Sequence, residues 1–195
     1  MSTMVRGRTQ ELVRNAELYH RRFEKSSAPA NPRTGVAVVT CIDARLNIYG
    51  MLGLAEGDAH IIRNAGGVIT DDVVRSLAAS QHLTGTSEIM LIMHDGCRMR
   101  TITDDEFADK LQAASGFRPG WPPAGFTDPA QELRRAMDAL RHNPFLLNST
   151  RISGFIYNER TGNLRELELD TLLTQPGPTA PVVGVVDSAE NRGTL

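Results

Sequence analysis

Short, uninterrupted apolar runs separated by stretches of helical periodicity constrain this chain more than any other feature. Val36-Ala-Val-Val-Thr40 is continuous and β-branched, the pattern of a strand buried on both faces. Ala59 to Ile62 is a second, shorter candidate, and Glu88 to Met93 a third. Between them, Thr70-Asp-Asp-Val73 carries the N-cap residue and first-turn acids of a helix. Val73, Val74, Leu77 and Ala78 supply its buried face, and Gly85 marks its end. Thr103-Asp-Asp-Glu106 then fits a capping box whose helix continues through Phe107, Leu111 and Ala114. After a Pro/Gly-rich loop over 118–125, a helix starts at Asp128-Pro129, with Leu133, Ala136, Met137 and Leu140 on one stripe. Strands at Ile152 to Tyr157 and Leu164 to Leu169 form a hairpin across 158–163. This order predicts an α/β fold with a central, mostly parallel sheet flanked by helices and an antiparallel C-terminal edge.

An amphipathic helix precedes the sheet. Leu12, Ala16, Tyr19 and Phe23 share one stripe, and 26–32 breaks the pattern. A helix isolated in this way docks either on its own domain or on a neighbouring subunit. The chain thus divides into an N-terminal helical arm (1–30), a main α/β domain (31–173) and a tail (174–195). The tail's short apolar piece, Val182 to Val186, is left unassigned. A length of 195 residues suits one domain with a real core. Lys and Arg total 21 against 23 Asp and Glu, a net charge of −2, which argues against duplex nucleic acid or an anionic membrane as partner. No apolar run approaches the ~18 residues of a membrane-spanning helix. The first residues also lack the apolar core and cleavage site of a signal peptide. The expected location is the reducing cytoplasm.

The two cysteines, Cys41 and Cys97, are too few for the multi-bridge framework of a small secreted domain. A single disulfide, free thiols or metal binding remain, and their neighbours decide. Cys41 directly follows the first buried strand; His94 and Cys97 directly follow the third. In an open parallel sheet, ligand sites gather outside the carboxyl ends of the strands, where the strand order reverses. Two thiols and one imidazole converging there suit zinc. His20, His60, His82 and His142 fall in or beside predicted helices or at the second strand, with no metal-like spacing to this trio. The fourth position is therefore open, or held by a weaker oxygen.

Cys41, Asp43 and Arg45 lie at i, i+2 and i+4, so an extended chain projects them to one side. The Asp43 carboxylate has two uses there: orienting a nucleophilic oxygen, or binding zinc itself in a closed state, favoured at low pH. Arg45 can hold it off the metal through a bidentate pair. Arg63-Asn-Ala-Gly-Gly67 reads either as a turn or as a glycine loop whose N–H groups face the metal site. Cys41 to Arg45 is too tight for the phosphate loop of a cysteine phosphatase. Gly50, Gly53 and Gly57 do not spell a dinucleotide fingerprint.

Taken together, Cys41-Ile-Asp-Ala-Arg45, Arg63-Asn-Ala-Gly66 and His94-Asp-Gly-Cys97 resemble the β-class carbonic anhydrases, in particular a short bacterial branch. The similarity runs from about Val36 to Leu169. The resemblance implies zinc ligation by Cys41, His94 and Cys97, a catalytic dyad of Asp43 and Arg45, and a substrate pocket lined by Gly66 and Gly67. It also implies homodimers that often pair into tetramers, with the N-terminal helix packed on the partner subunit. The implied reaction is reversible hydration of carbon dioxide, with carbon disulfide or carbonyl sulfide hydrolysis on the same zinc site as the alternative. A non-catalytic zinc-binding assembly module is a third reading. One departure bears on these: the family's His-Thr-x-Cys-Gly pattern is replaced by His94-Asp-Gly-Cys-Arg98. Asp95 and Arg98 set charges beside the metal loop, and Gly96 offers the flexibility lost at position 98.

Overall fold

The computed structural model describes residues 8–23 and 30–168. Helix α1 (Arg8–Arg22) is followed by β1 (Val36–Cys41), the short α2 (Ile48–Leu52) and β2 (Ala59–Asn64). Then come α3 (Asp71–Thr84), β3 (Glu88–His94), α4 (Asp104–Ser115), α5 (Pro129–Arg141), β4 (Arg151–Asn158) and β5 (Asn163–Glu166). The sheet order is β2-β1-β3-β4-β5. The first four strands pair in parallel, and β5 returns antiparallel to β4.

The caps lie where the sequence places them. Thr70 accepts from the Val73 N–H and Gly85 closes α3 in the left-handed conformation. Thr103 and Glu106 form a reciprocal capping box on α4, and Asp128 caps α5 ahead of Pro129. The inner strands β1 and β3 bury Ala37, Val38, Val39, Leu91, Ile92 and Met93. Helix α5 covers β3 and β4 through Leu133, Ala136, Met137 and Leu140, while α3 lies on β1 and β2 through Val73 and Leu77. Burying side chains of this size contributes about 1.5–3 kcal/mol each by area, against the entropy of ordering them.

Two features differ from expectation. Helix α2 stands where the sequence reads as loop; at five residues it is too short to show a period. Its ends are fixed instead by the Asn47 side chain, which accepts from the Gly50 N–H, and by left-handed Gly53. The last strand ends at Glu166 rather than Leu169, which itself lies outside the described residues. So do most of the 26–32 linker and the tail with Val182 to Val186.

The turn after β2 lies against the backbone of β1. Gly67 has φ +68°, and a Cβ there would stand 3.0 Å from both the Cys41 nitrogen and the Thr40 carbonyl carbon. Backbone cannot yield as a flexible side chain does. Gly67→Ala is therefore expected to lose about 1–3 kcal/mol of stability from the strained dihedral alone, read as a lowered denaturant midpoint. An unchanged midpoint would contradict this packing.

Candidate functional site

Strand register builds the site. With the order β2-β1-β3, the chain reverses direction across the sheet between β1 and β3, where α/β folds bind ligands. Cys41 ends β1 beside Asn64, and His94 ends β3 beside Tyr157. Two residues after Asp95, Cys97 caps the 3-10 turn Arg98–Arg100. The ligating atoms of Cys41, His94 and Cys97 all lie within 4.8 Å of one another, and all three residues are buried. The cysteine sulfurs are 3.9 Å apart, and both thiols are free.

The donor set fits a soft divalent ion. Both ring nitrogens of His94 are buried with no hydrogen-bond partner, a costly state for an imidazole unless something else binds it. Coordination by zinc, which favours Cys sulfur and His nitrogen, satisfies one of them. The Cys97 thiol, His94, and the backbone N–H groups of Asp43 and Gly66 draw the Cys41 thiol well below its ordinary pKa. Cys41 in turn, together with burial, pushes the Cys97 thiol up. Among the described residues this is the one cluster of its kind. The other histidines are engaged elsewhere or remote: His60 pairs with Ser80, His82 with the Phe145 carbonyl and His142 with the Asp138 carbonyl, and His20 lies on α1.

Asp43 borders this trio, its Oδ2 lying 3.9 Å from His94 Nε2. Arg45 clasps it in a fork, Nε to Oδ1 at 2.9 Å and Nη2 to Oδ2 at 2.6 Å. That guanidinium holds the Asp43 carboxyl far below the usual carboxylate range, outweighing partial burial. The local backbone is a turn and not the extended segment expected: the Leu46 N–H donates to the Asp43 carbonyl and the Arg45 N–H to Asp43 Oδ1. Asp43 is thus held by Arg45 and not turned onto the sulfur and nitrogen ligands. Arg45 also donates to the Gly96 carbonyl at 2.9 Å, tying the β1 loop to the β3 loop.

Gly66 and Gly67 are both buried. The Gly66 N–H contributes to lowering the pKa of the Cys41 thiol. Neither glycine lines the open cavity of about 600 Å³ beside the site, whose walls include Asp43, Arg45, Cys97, Arg98, Glu159 and Arg160. Asp95 and Arg98 are exposed. Asp95 is braced by Asn158 and Arg100, and Arg98 stands at the cavity wall.

Two residues went unassigned at the sequence level. Arg63 donates to the Cys41 carbonyl at 2.9 Å and to the Asp43 carbonyl at 2.7 Å, so it splints the loop carrying both. Glu159, just beyond β4, lies against His94, Arg45 and Gly96. Burial pushes its carboxyl up, but its own and the Gly96 backbone N–H groups and the Arg45 guanidinium help to offset this and keep it low. Arg63 lies inside a motif already singled out. Glu159 was findable only by treating β4 as another parallel strand with a carboxyl end at the same rim.

A family model for carbonic anhydrase matches residues 36–121. Beta-carbonic anhydrase 1 of Mycobacterium tuberculosis is 46% identical over 143 residues, 73% of this chain and 88% of that protein. Carbon disulfide hydrolase of an Acidianus species is 30% identical over 154 residues, 66% of this chain and 75% of that protein. The crystal structure of carbonic anhydrase from Streptococcus mutans superposes with a TM-score of 0.81 at 38% identity, covering 85% of this chain and 100% of that one. With its soft-ligand trio at the β1/β3 switch point and this extent of shared sequence, the chain belongs to the β-carbonic anhydrase family.

Proposed function

We propose that this chain catalyses the reversible hydration of carbon dioxide to bicarbonate and a proton, with one zinc ion held by Cys41, His94 and Cys97. The observation that carries this reading is the convergence of those three ligand atoms beside a carboxylate already clasped by arginine. When bound, the ion supplies the Lewis acidity that makes water a nucleophile near neutral pH. Asp43 accepts a hydrogen bond from the attacking water and so aims its lone pair at the carbon. Arg45 holds the carboxylate in place, keeps it ionised and keeps it available for that role. Gly66 and Gly67 act not from the open cavity but from behind Cys41, where both are buried against the end of β1. There the Gly66 N–H steadies the thiolate, and the bare glycine backbone lets the loop lie flush against β1.

A second reading, hydrolysis of carbon disulfide or carbonyl sulfide, is favoured by the similarity to the Acidianus hydrolase. Both substrates are small, linear and apolar, and attack by water at their central carbon uses the same groups. Stopped-flow hydration of carbon dioxide, run beside an assay for sulfide release, separates the two. Hydration with no sulfide supports the first reading. Sulfide release without hydration overturns it, and a zinc-loaded protein inert to both is the assembly module.

The same reading makes the protein a homodimer. No residue of α1 is buried, and Leu12, Tyr19 and Phe23 are exposed along its stripe. The Tyr19 hydroxyl donates a hydrogen bond to Glu56 of the main domain. An apolar stripe of this length needs cover, and a second copy supplies it. Leu12→Glu combined with Tyr19→Glu is expected to weaken self-association at least about 10-fold, measured by sedimentation. A dimer indifferent to both changes would remove α1 from the interface. A reducing compartment such as the cytoplasm also follows, because thiols 3.9 Å apart would be lost to a disulfide where conditions are oxidising.

A further inference from the structure

We propose that Glu159 is a positioning residue of the metal centre, bracing His94 and Arg45 together, and that position 96 is glycine because Glu159 occupies the space a side chain there would need. The inference rests on the zinc reading above and goes beyond it.

Sheet register places Glu159 at the site. His94 is paired with Tyr157, so the chain just past β4 runs beside the loop after β3. The Glu159 side chain is 6% exposed, and a carboxylate so deeply buried is costly unless it is paired. Its partners are all parts of the site. The Gly96 N–H donates to Oε2 at 3.2 Å, Arg45 Nη1 lies 3.5 Å from Oε1, and His94 Nδ1 lies 3.7 Å from Oε2.

Gly96 is the counterpart of this arrangement. A Cβ at that position would fall 1.8 Å from Glu159 Oε1 and 2.8 Å from its carboxyl carbon. Gly96 is not among the glycines with positive φ, so its backbone does not demand glycine; the carboxylate does. The flexibility expected of Gly96 from sequence is thus replaced by a steric reason. Glycine at 96 and glutamate at 159 form one unit.

The chemistry follows from the two sides of the imidazole. His94 Nδ1 faces Glu159 and Nε2 faces Asp43. A carboxylate beside Nδ1 favours the tautomer with its proton there, which leaves Nε2 free to ligate. At 3.7 Å the contact is longer than a hydrogen bond, within reach of a small rotation of the ring. Through Arg45, the same carboxylate also steadies the guanidinium that clasps Asp43.

The test measures zinc affinity by competition with a chromophoric chelator, together with the visible spectrum of the cobalt(II)-substituted protein. Thermal melting of each metal-free variant serves as the folding control. Glu159→Ala is expected to weaken zinc about 10-fold or more and to shift the cobalt bands. Gly96→Ala should do the same by expelling the carboxylate. Because the space is then empty, Gly96→Ala added to Glu159→Ala should cost nothing further. Should the alanine variant fail to fold, Glu159→Gln is read in the same assay, with a zinc affinity expected between wild type and the loss given for alanine. Wild-type zinc affinity and an unchanged cobalt spectrum in the Glu159 variant would overturn the proposal. So would a Gly96→Ala penalty undiminished in the Glu159→Ala background. A wild-type protein that takes no zinc strikes the functional reading instead, so the two failures are distinguishable.

Discussion

Asp43→Asn is expected to lower carbon dioxide hydration by about 100-fold or more while leaving the zinc content unchanged. Asp43 is not one of the three soft ligands, and its carboxylate is spent on the Arg45 fork and on the edge of the site, with Oδ2 3.9 Å from His94 Nε2. Asparagine has nearly the same shape and still accepts from Arg45 through its carbonyl. It offers an amide donor where the carboxylate offered an acceptor, so the attacking water loses the partner that orients it. Losses of about 10²–10⁴-fold are typical when a group handling the reacting proton is removed. Full activity in Asp43→Asn, with zinc retained, would eliminate Asp43 from the chemistry. Loss of zinc along with activity would instead make it a ligand.

Cys97→Ser is expected to abolish stoichiometric zinc and, with it, hydration. Serine nearly matches cysteine in volume, and position 97 is buried at the start of the 3-10 turn Arg98–Arg100, so the fold should survive. A neutral hydroxyl, however, is a poor substitute for a thiolate toward zinc. Elemental analysis should fall from about one zinc per chain to near none, and activity should fall with it. In the wild type, a strong chelator should reproduce the loss and added zinc should reverse it. Full zinc occupancy in Cys97→Ser would show that the ion sits elsewhere.

The sequence announces the sheet and the trio for one physical reason: strands buried on both faces are written as unbroken apolar runs, and their carboxyl ends fix where the next residues go. Val36–Cys41 and Glu88–His94 are legible on that basis, as are Cys41, His94 and Cys97 at their ends. Caps such as Thr70, Thr103 and Asp128 are legible because each satisfies local backbone donors. Contacts set by register across strands were not legible in this way. Glu159 meets His94 because β4 runs parallel to β3, and in sequence it is only an acid in a hairpin turn. The Asp43–Arg45 pair is formed by a turn and not by the extended segment that the i, i+2, i+4 spacing suggests. The stripe of α1 was legible from its period, but what covers it was not: among the described residues Leu12, Tyr19 and Phe23 stay exposed.

The most direct test of the account is the zinc-edge X-ray absorption spectrum of the purified protein. The predicted first coordination sphere holds two sulfurs at about 2.3 Å and one imidazole nitrogen at about 2.0 Å, completed by a light oxygen scatterer. A sphere of oxygen and nitrogen alone, or one closed by further sulfur or histidine ligands, would contradict it.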